Sequence, residues 1–340
     1  MSWYASEGPD NDIVISSRVR LARNLKDYTF PVIMKDNERK VILDNVRKVL
    51  MSNSEPLIKD MLYVNISELT PVDREAMVER HLISSELAQG REFSAAFVNK
   101  TESISVMVNE EDHLRIQCIL PGLQLREGLE LCSKVEEMIG KKFEYAFRND
   151  FGYLTCCPTN VGTGMRASAM MHLPALTTTG YIGTLLETCG KIGVAVRGIH
   201  GEHSGASGNI YQVSNQISLG QSEEDIADNV NGIVSQIMNR ERAVEADLLE
   251  NGRIKIEDMI FRSYGIFVNA RIITAEESLR LLSDIRMGVN LGIIKDITLK
   301  CLNELMLSVQ PATLQRMSGR PLDPDERDIR RAEIIKSKLI

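Results

Sequence analysis

The texture of the chain changes sharply about two thirds of the way along, and that change most constrains its fold. Up to about residue 219, short apolar runs alternate with turn signals. Residues 13–15, 93–98, 104–108, 114–120, 145–147, 153–155, 194–196 and 209–214 are too short for stable helices and read as strands. Asn99-Lys100-Thr101-Glu102 reads as a hairpin turn. Helical spacing interrupts the strands at 36–51, after Thr70-Pro71-Val72-Asp73, at 125–139 and at 182–189. Residues 164–173 are expected to pass from loop towards helix. Ser222-Glu223-Glu224-Asp225 has the form of a capping box opening a helix to about residue 249, and Asn251-Gly252 is a turn signal. Beyond it the pattern is almost wholly helical. The expected fold is α+β: a mostly antiparallel sheet flanked by helices over residues 1–250, then an all-helical region over 251–340.

At 340 residues the chain exceeds one typical domain. Its net charge of −7 argues against broad nucleic-acid binding. No apolar run approaches the roughly 18 residues of a membrane span, and the start carries no basic-then-apolar leader. A cytoplasmic protein without membrane contact is expected. The six cysteines form no Cys-x-x-Cys pair, so free thiols and no metal site are expected.

In this acidic chain several arginines sit in strand or glycine-rich settings. Arg18 and Arg20 alternate in Ser16-Ser17-Arg18-Val19-Arg20 and so share one face of an extended strand. Arg115 closes Asn109-Glu110-Glu111-Asp112-His113-Leu114-Arg115, Arg166 follows Gly162-Thr163-Gly164, and Arg197 opens Arg197-Gly198-Ile199-His200-Gly201-Glu202. One such arginine is most simply paired with a surface acid. Five together suit a polyanion such as a nucleotide triphosphate, because guanidinium matches phosphate bidentately and stays charged. Gly162-Thr163-Gly164 suggests backbone amides near an anion, although it is neither a Walker loop nor a dinucleotide fingerprint. Glu111 and Glu202, each close in sequence to one of these arginines, suit a cationic acceptor. Cys157 is a candidate reactive thiol or a small packing residue.

Asn-Glu-Glu-Asp-His-Leu-Arg, Cys-Pro-x-Asn-x-Gly-Thr-Gly-x-Arg and Arg-Gly-x-x-Gly-Glu together resemble the ATP:guanido phosphotransferases, over roughly residues 13–250. Ser-Ser-Arg-Val-Arg-Leu-Ala-Arg-Asn at 16–24 and Arg-Asp-Ile-Arg-Arg-Ala at 327–332 are similar to the bacterial protein-arginine kinase branch. The resemblance implies ATP with Mg²⁺ held mainly through the phosphates. It implies a nucleotide site over Ser16, Ser17, Arg18, Val19, Arg20, His81, Arg115, Arg166, Ala167, Ser168, Ala169, Met170, Arg197, Gly198, Ile199, His200, Gly201 and Glu202. Catalytic roles would fall to Glu111, Glu202, Arg115, Arg166 and Arg197. Guanidinium holds its proton to above ~12 and a carboxylate titrates near ~4, so proton removal should accompany or follow P–N bond formation, with Glu111 as the favoured base.

Small-guanidino kinases carry a helical domain before the Ser-x-Arg-x-Arg strand, whereas fifteen residues precede Ser16 here; an acceptor site open to protein arginines is therefore expected. Met170 stands near a position where those enzymes place a histidine beside the base, and His200 replaces an arginine of the arginine kinases. For the C-terminal region the resemblance implies a homodimer and a phosphoarginine site at Arg327, Asp328, Ile329, Arg330, Arg331 and Ala332. It also implies a stress-response setting, with a zinc-binding activator of the McsA type, a CtsR-type repressor and a Clp unfoldase as partners. The competing readings are a small-molecule guanidino kinase and a non-catalytic phosphoarginine-binding adaptor.

Overall fold

The computed structural model describes residues 2–52, 55–198 and 207–339. The elements run β1 (Val14–Arg23), α1 (Asp36–Met51), β2 (Leu62–Asn65), α2 (Pro71–Glu79), β3 (Ala95–Val98), β4 (Ile104–Val108), β5 (Leu114–Pro121) and α3 (Leu125–Gly140). After a small hairpin of β6 (Phe147–Arg148) and β7 (Gly152–Tyr153) come β8 (Met165–His172), α4 (Pro174–Thr178), α5 (Ile182–Lys191), β9 (Val194–Gly198) and β10 (Ile210–Asn215). The rest is helical: α6 (Glu223–Asn269), α7 (Ala275–Asn290), α8 (Leu299–Ser308), α9 (Pro311–Ser318) and α10 (Pro324–Leu339). Eight strands form one sheet in the order β2-β3-β4-β5-β1-β8-β10-β9, with antiparallel neighbours throughout. The α+β expectation therefore holds.

Register divides the sheet into two chemically different faces. Residues directly opposite each other across paired strands point the same way. Val19, Leu21, Ile116, Cys118, Ala167, Ala169 and Val213 fall on one side and are buried in the main core. Helix α3 covers β1 and β5 there, α6 covers β8 and β10, and α5 covers β9. Burying a Val, Leu or Ile side chain contributes roughly 1.5–3 kcal/mol, so this face anchors the sheet. The other face carries the arginines.

Three local expectations need correction. Residues 165–172 form a central strand instead of turning towards helix. Small Ala167, Ser168 and Ala169 allow close pairing with β1 on one side and β10 on the other, and this two-sided ladder overrides alanine's helix propensity. Asn251-Gly252 is no turn: α6 runs through it, with only Gly252 leaving helical geometry (φ −142°, ψ 18°). Gly162-Thr163-Gly164 is a backbone crossing, since the Thr163 amide donates to the Ser218 carbonyl at 3.0 Å. Gly162 has φ +117°, and a Cβ there would lie 2.2 Å from the Ser218 oxygen. The expected caps do form: Thr70 accepts from the Asp73 amide, and Ser222 and Asp225 complete the capping box.

The C-terminal helices share the core of the sheet, with Ile256, Ile260, Phe267, Leu281 and Ile285 in the same apolar cluster as Val19 and Ile116. A buried polar knot joins them to the end of β8 and the start of β10. The Ser283 hydroxyl on α7 accepts from Asn209 Nδ2 and hydrogen-bonds His172 Nε2, both at 2.8 Å. Gly208 (φ +63°) lets the chain pass so near α7 that a Cβ would sit 2.7 Å from the Leu279 carbonyl oxygen.

Candidate active site

The polar face of the sheet is built by strand register. Arg18 and Arg20 alternate on β1, Arg20 faces Arg166 on β8, and Arg18 faces Ser168. Ala22 faces Arg115 on β5, while Gln212 on β10 faces both Met170 and Arg197. All five arginines singled out in the sequence thus lie on one face, over four strands. Apart from Arg115, few partners among the described residues reach them. Arg18 Nη2 donates to Gln212 Oε1 at 3.4 Å and Arg166 Nη2 to Ser214 Oγ at 3.2 Å. The Nε atoms of Arg20 and Arg166 are buried, with no hydrogen-bond partner among the described residues.

The electrostatics match this frustration. Burial first, and then repulsion from Arg166 and Arg115, lowers the Arg18 pKa to about 10. Arg20 is lowered well below its ordinary value by burial and by Arg18, Arg115 and Arg166, against which Glu110 is the opposing charge. Burial, Arg197 and Arg115 lower Arg166. Guanidinium stays protonated in proteins, so these directions measure an unpaid positive potential that a polyanion would relieve.

A tight turn sets carboxylates beside this face. Asn109 adopts φ +59°, its amide donates to the His113 carbonyl at 2.9 Å, and its side-chain amide donates to the carbonyls of Arg39 and Phe93. Glu110 points inward, buried, with Oε1 2.6 Å from Arg115 Nη1 and a further hydrogen bond from Ser84. Glu111 points outward, its Oε2 3.3 Å from Arg115 Nη2, and its side chain is 39% exposed. Partial burial raises the Glu111 pKa above the ordinary carboxylate value; Arg115 opposes the shift, while Asp112, Glu110 and Glu86 add to it. A raised carboxylate pKa improves a proton acceptor. Buried Asp112 accepts from Asn24 Nδ2 at 2.6 Å and from the Cys156 amide at 2.7 Å, tying the Cys156-Cys157 loop to the turn.

Register also sorts the expected nucleotide contacts. Ser16, Ser168 and Met170 share the arginine face and line a slot with Arg18, His81 and Gln212. Ser17, Val19, Ala167 and Ala169 point to the opposite side. Ser17 Oγ is engaged by the Gly122 carbonyl and the Gln124 amide, and the other three lie in the apolar core. Gly198 ends β9 opposite Tyr211. Ile199, His200, Gly201 and Glu202 lie outside the described residues. Cys157 is half-buried, with Sγ 3.0 Å from Thr159 Oγ1. Sequence reasoning passed over Glu110, Gln212 and Ser214. Glu110 stands inside the quoted acidic motif, and the polar alternation of residues 210–214 could have pointed to the other two.

On α10, Arg327 and Arg331 are one turn apart but do not share an open surface. Arg331 is 1% exposed; Nε donates to the Val309 carbonyl at 2.9 Å, and Nη1 donates to the Ile273 carbonyl at 2.7 Å and to Asp328. Arg327 Nη1 is 3.5 Å from the Leu322 carbonyl, and Ile329 and Arg330 face outward.

The comparisons with known proteins agree with this geometry. Residues 41–244 match the family model described as ATP:guanido phosphotransferase, C-terminal catalytic domain, and residues 253–340 match that of the protein-arginine kinase McsB C-terminal domain. A protein-arginine kinase of Geobacillus kaustophilus is 47% identical over 338 residues, 99% of this chain and 93% of the relative. A protein-arginine kinase of Bacillus cereus is 46% identical over 337 residues, 99% of this chain and 95% of the relative. A taurocyamine kinase of Schistosoma mansoni shares the fold at 24% identity and TM-score 0.61, over 76% of this chain and 39% of that one. A lombricine kinase does so at 24% identity and TM-score 0.59, over 72% and 70%. With a catalytic-domain match, a C-terminal match and near-full-length relatives, the chain belongs to the ATP:guanido phosphotransferase family, among its protein-arginine kinases.

Proposed function

We propose that this chain transfers the γ-phosphoryl group of ATP to the guanidinium of arginine side chains in proteins. The observation that carries the reading is the under-partnered arginine face, with Glu111 at its edge. Arg18, Arg20, Arg115, Arg166 and Arg197 hold the phosphates and offset charge as the phosphoryl group moves. Mg²⁺, held mainly through the nucleotide phosphates, would draw charge from the phosphate oxygens. Ser16, His81, Ser168 and Met170 line a narrow slot beside these arginines, on the side where the nucleoside would lie. Glu111 and Glu202 clamp the acceptor guanidinium, align one nitrogen in line with the γ-phosphorus, and let Glu111 take its proton as the P–N bond forms. Glu110 is the fixed counter-charge that aims Arg115.

Residues 1–250 act as the catalytic region and 251–340 as a region for dimerisation and phosphoarginine binding, in keeping with family matches that stop at 244 and resume at 253. Arg327 and Asp328 recognise phosphoarginine, with Arg331 holding Asp328 from behind. Cytoplasmic work in stress response, with a McsA-type activator, a CtsR-type repressor and a Clp unfoldase, completes the reading.

Purified protein with Mg-ATP and an arginine-rich protein should give phosphate on arginine that is acid-labile and base-stable, seen by mass spectrometry under non-acidic handling. Phosphorylation of free arginine or creatine alone would favour the small-molecule kinase. Phosphoarginine binding without any transfer would favour the adaptor.

A further inference from the structure

Among the exposed apolar side chains, Val32 and Ile33 are adjacent in sequence and 78% and 76% exposed. They are not a frayed loop, since Pro31 before them and Met34 after them are buried. The Pro31 carbonyl accepts from Arg39 Nη2 at 2.7 Å, and the Arg39 carbonyl in turn accepts from Asn109, which opens the Glu110-Glu111 turn. His113, which closes that turn, donates from Nε2 to the Thr29 carbonyl at 2.9 Å, while its Nδ1 accepts the Leu25 amide at 3.0 Å. The Val32 backbone lies beside the Cys156 thiol, and the Cys156 amide is held by Asp112. These anchors lead to the segment that presents Glu111.

We propose that Val32 and Ile33 form a docking shelf for the polypeptide around the acceptor arginine, selecting an arginine with aliphatic or aromatic neighbours. This rests on the reading of Glu111 as the acceptor-side carboxylate. An arginine entering from a protein must bring flanking residues over the rim, so the activity itself supplies the occupant. Charge is compatible: Glu111, Glu86 and Asp36 each meet an arginine of this chain, Arg115, Arg91 and Arg39, yet all stay partly open to an approaching cation. The acids draw the guanidinium in, and the two aliphatic side chains regain their burial against its neighbours.

The test uses the full chain and two synthetic peptides, one with leucines flanking a central arginine and one with serines. The double variant Val32→Ser/Ile33→Ser should lower kcat/KM for the leucine peptide about tenfold, through KM, and leave the serine peptide within about twofold. Val32→Leu/Ile33→Leu should retain the wild-type preference. Equal losses on both peptides, no loss on either, or a leucine variant that behaves like the serine variant would each overturn the shelf while leaving the kinase reading intact. Failure of the wild type to phosphorylate either peptide would overturn both.

Discussion

Arg20 and Arg23 stand three residues apart on one strand, on opposite faces of the sheet, and meet opposite fates. Arg23 is wholly buried and fully answered. Its guanidinium meets Glu136 and Glu223, donates to the carbonyls of Ala22 and Thr163, and lies 3.5 Å from the centre of the Tyr153 ring. Its pKa is raised, because the acids outweigh the cost of burial. Arg20 shares its surroundings with three more arginines, has an Nε with no partner among the described residues, and is lowered. Burial alone therefore does not separate structure from function. A buried cation with its counter-charges built in belongs to the fold, and one left waiting belongs to a ligand.

The largest effect should fall on the satisfied side. Arg23→Met removes the cation between Glu136 and Glu223 and should cost about 3–5 kcal/mol in urea unfolding, by leaving two carboxylates unpaired. A loss under about 1 kcal/mol would erase the distinction. On the waiting side, Arg20→Gln should lower kcat/KM about 100-fold, on the order of 3 kcal/mol of transition-state stabilisation, while the unfolding midpoint stays level or rises as repulsion is relieved. A destabilised Arg20→Gln protein would show that the arginine face supports the fold. Glu111→Gln should lower kcat by a similar factor of about 100 or more with ATP affinity unchanged, and should remove the acid limb of the pH profile, which in the wild type lies above the ordinary carboxylate range because the Glu111 pKa is raised.

Mg-ATP at about 100 times its Kd should stabilise the wild type by about 2.7 kcal/mol, and this gain should shrink in Arg20→Gln. The smallest effect tests an acid left in Arg20's position. Glu245 is buried with an unpartnered Oε1, and burial, Glu241 and Asp12 push its pKa up to about 8, with Arg242 opposing. A carboxyl raised on folding keeps its proton longer in the native state, so stability falls as pH climbs from the unfolded value, near ~4.3, through 8. Between pH 6 and 8 Glu245 should contribute a decline of about 2 kcal/mol, and Glu245→Gln should reduce the slope, leaving the part due to Glu241, which burial pushes up to about 7.

Much of this was legible in the sequence. The alternation Ser-x-Arg-x-Arg fixed which side chains share a face, and the change from short runs to helical spacing marked where the sheet ends. Other features depend on what packs against them. An alanine-rich run becomes a central strand only because β1 and β10 both pair with it. Arg331 looks exposed by its spacing, yet it turns inward because the Val309 and Ile273 carbonyls need a donor. Glycines at 162 and 164 resemble an anion loop until the segment after β10, at Ser218, crosses and fills the space. Glu110 and Glu111 are neighbours with the same side chain, and only the turn at Asn109 decides which is a buried counter-charge and which faces the cleft.

The Ser283 hydroxyl, shared between His172 and Asn209, makes the C-terminal helices poor candidates for exchange. A chain cut after α6 would leave an imidazole and a carboxamide facing a void and would strip Leu307 from its place against Trp3 and Ile210. Grafting another helical module there would require the same hydroxyl at the same height, and a carbonyl lying as close to Gly208 as that of Leu279. The two stretches of sequence can therefore change only in step, like a key and the lock it was cut with.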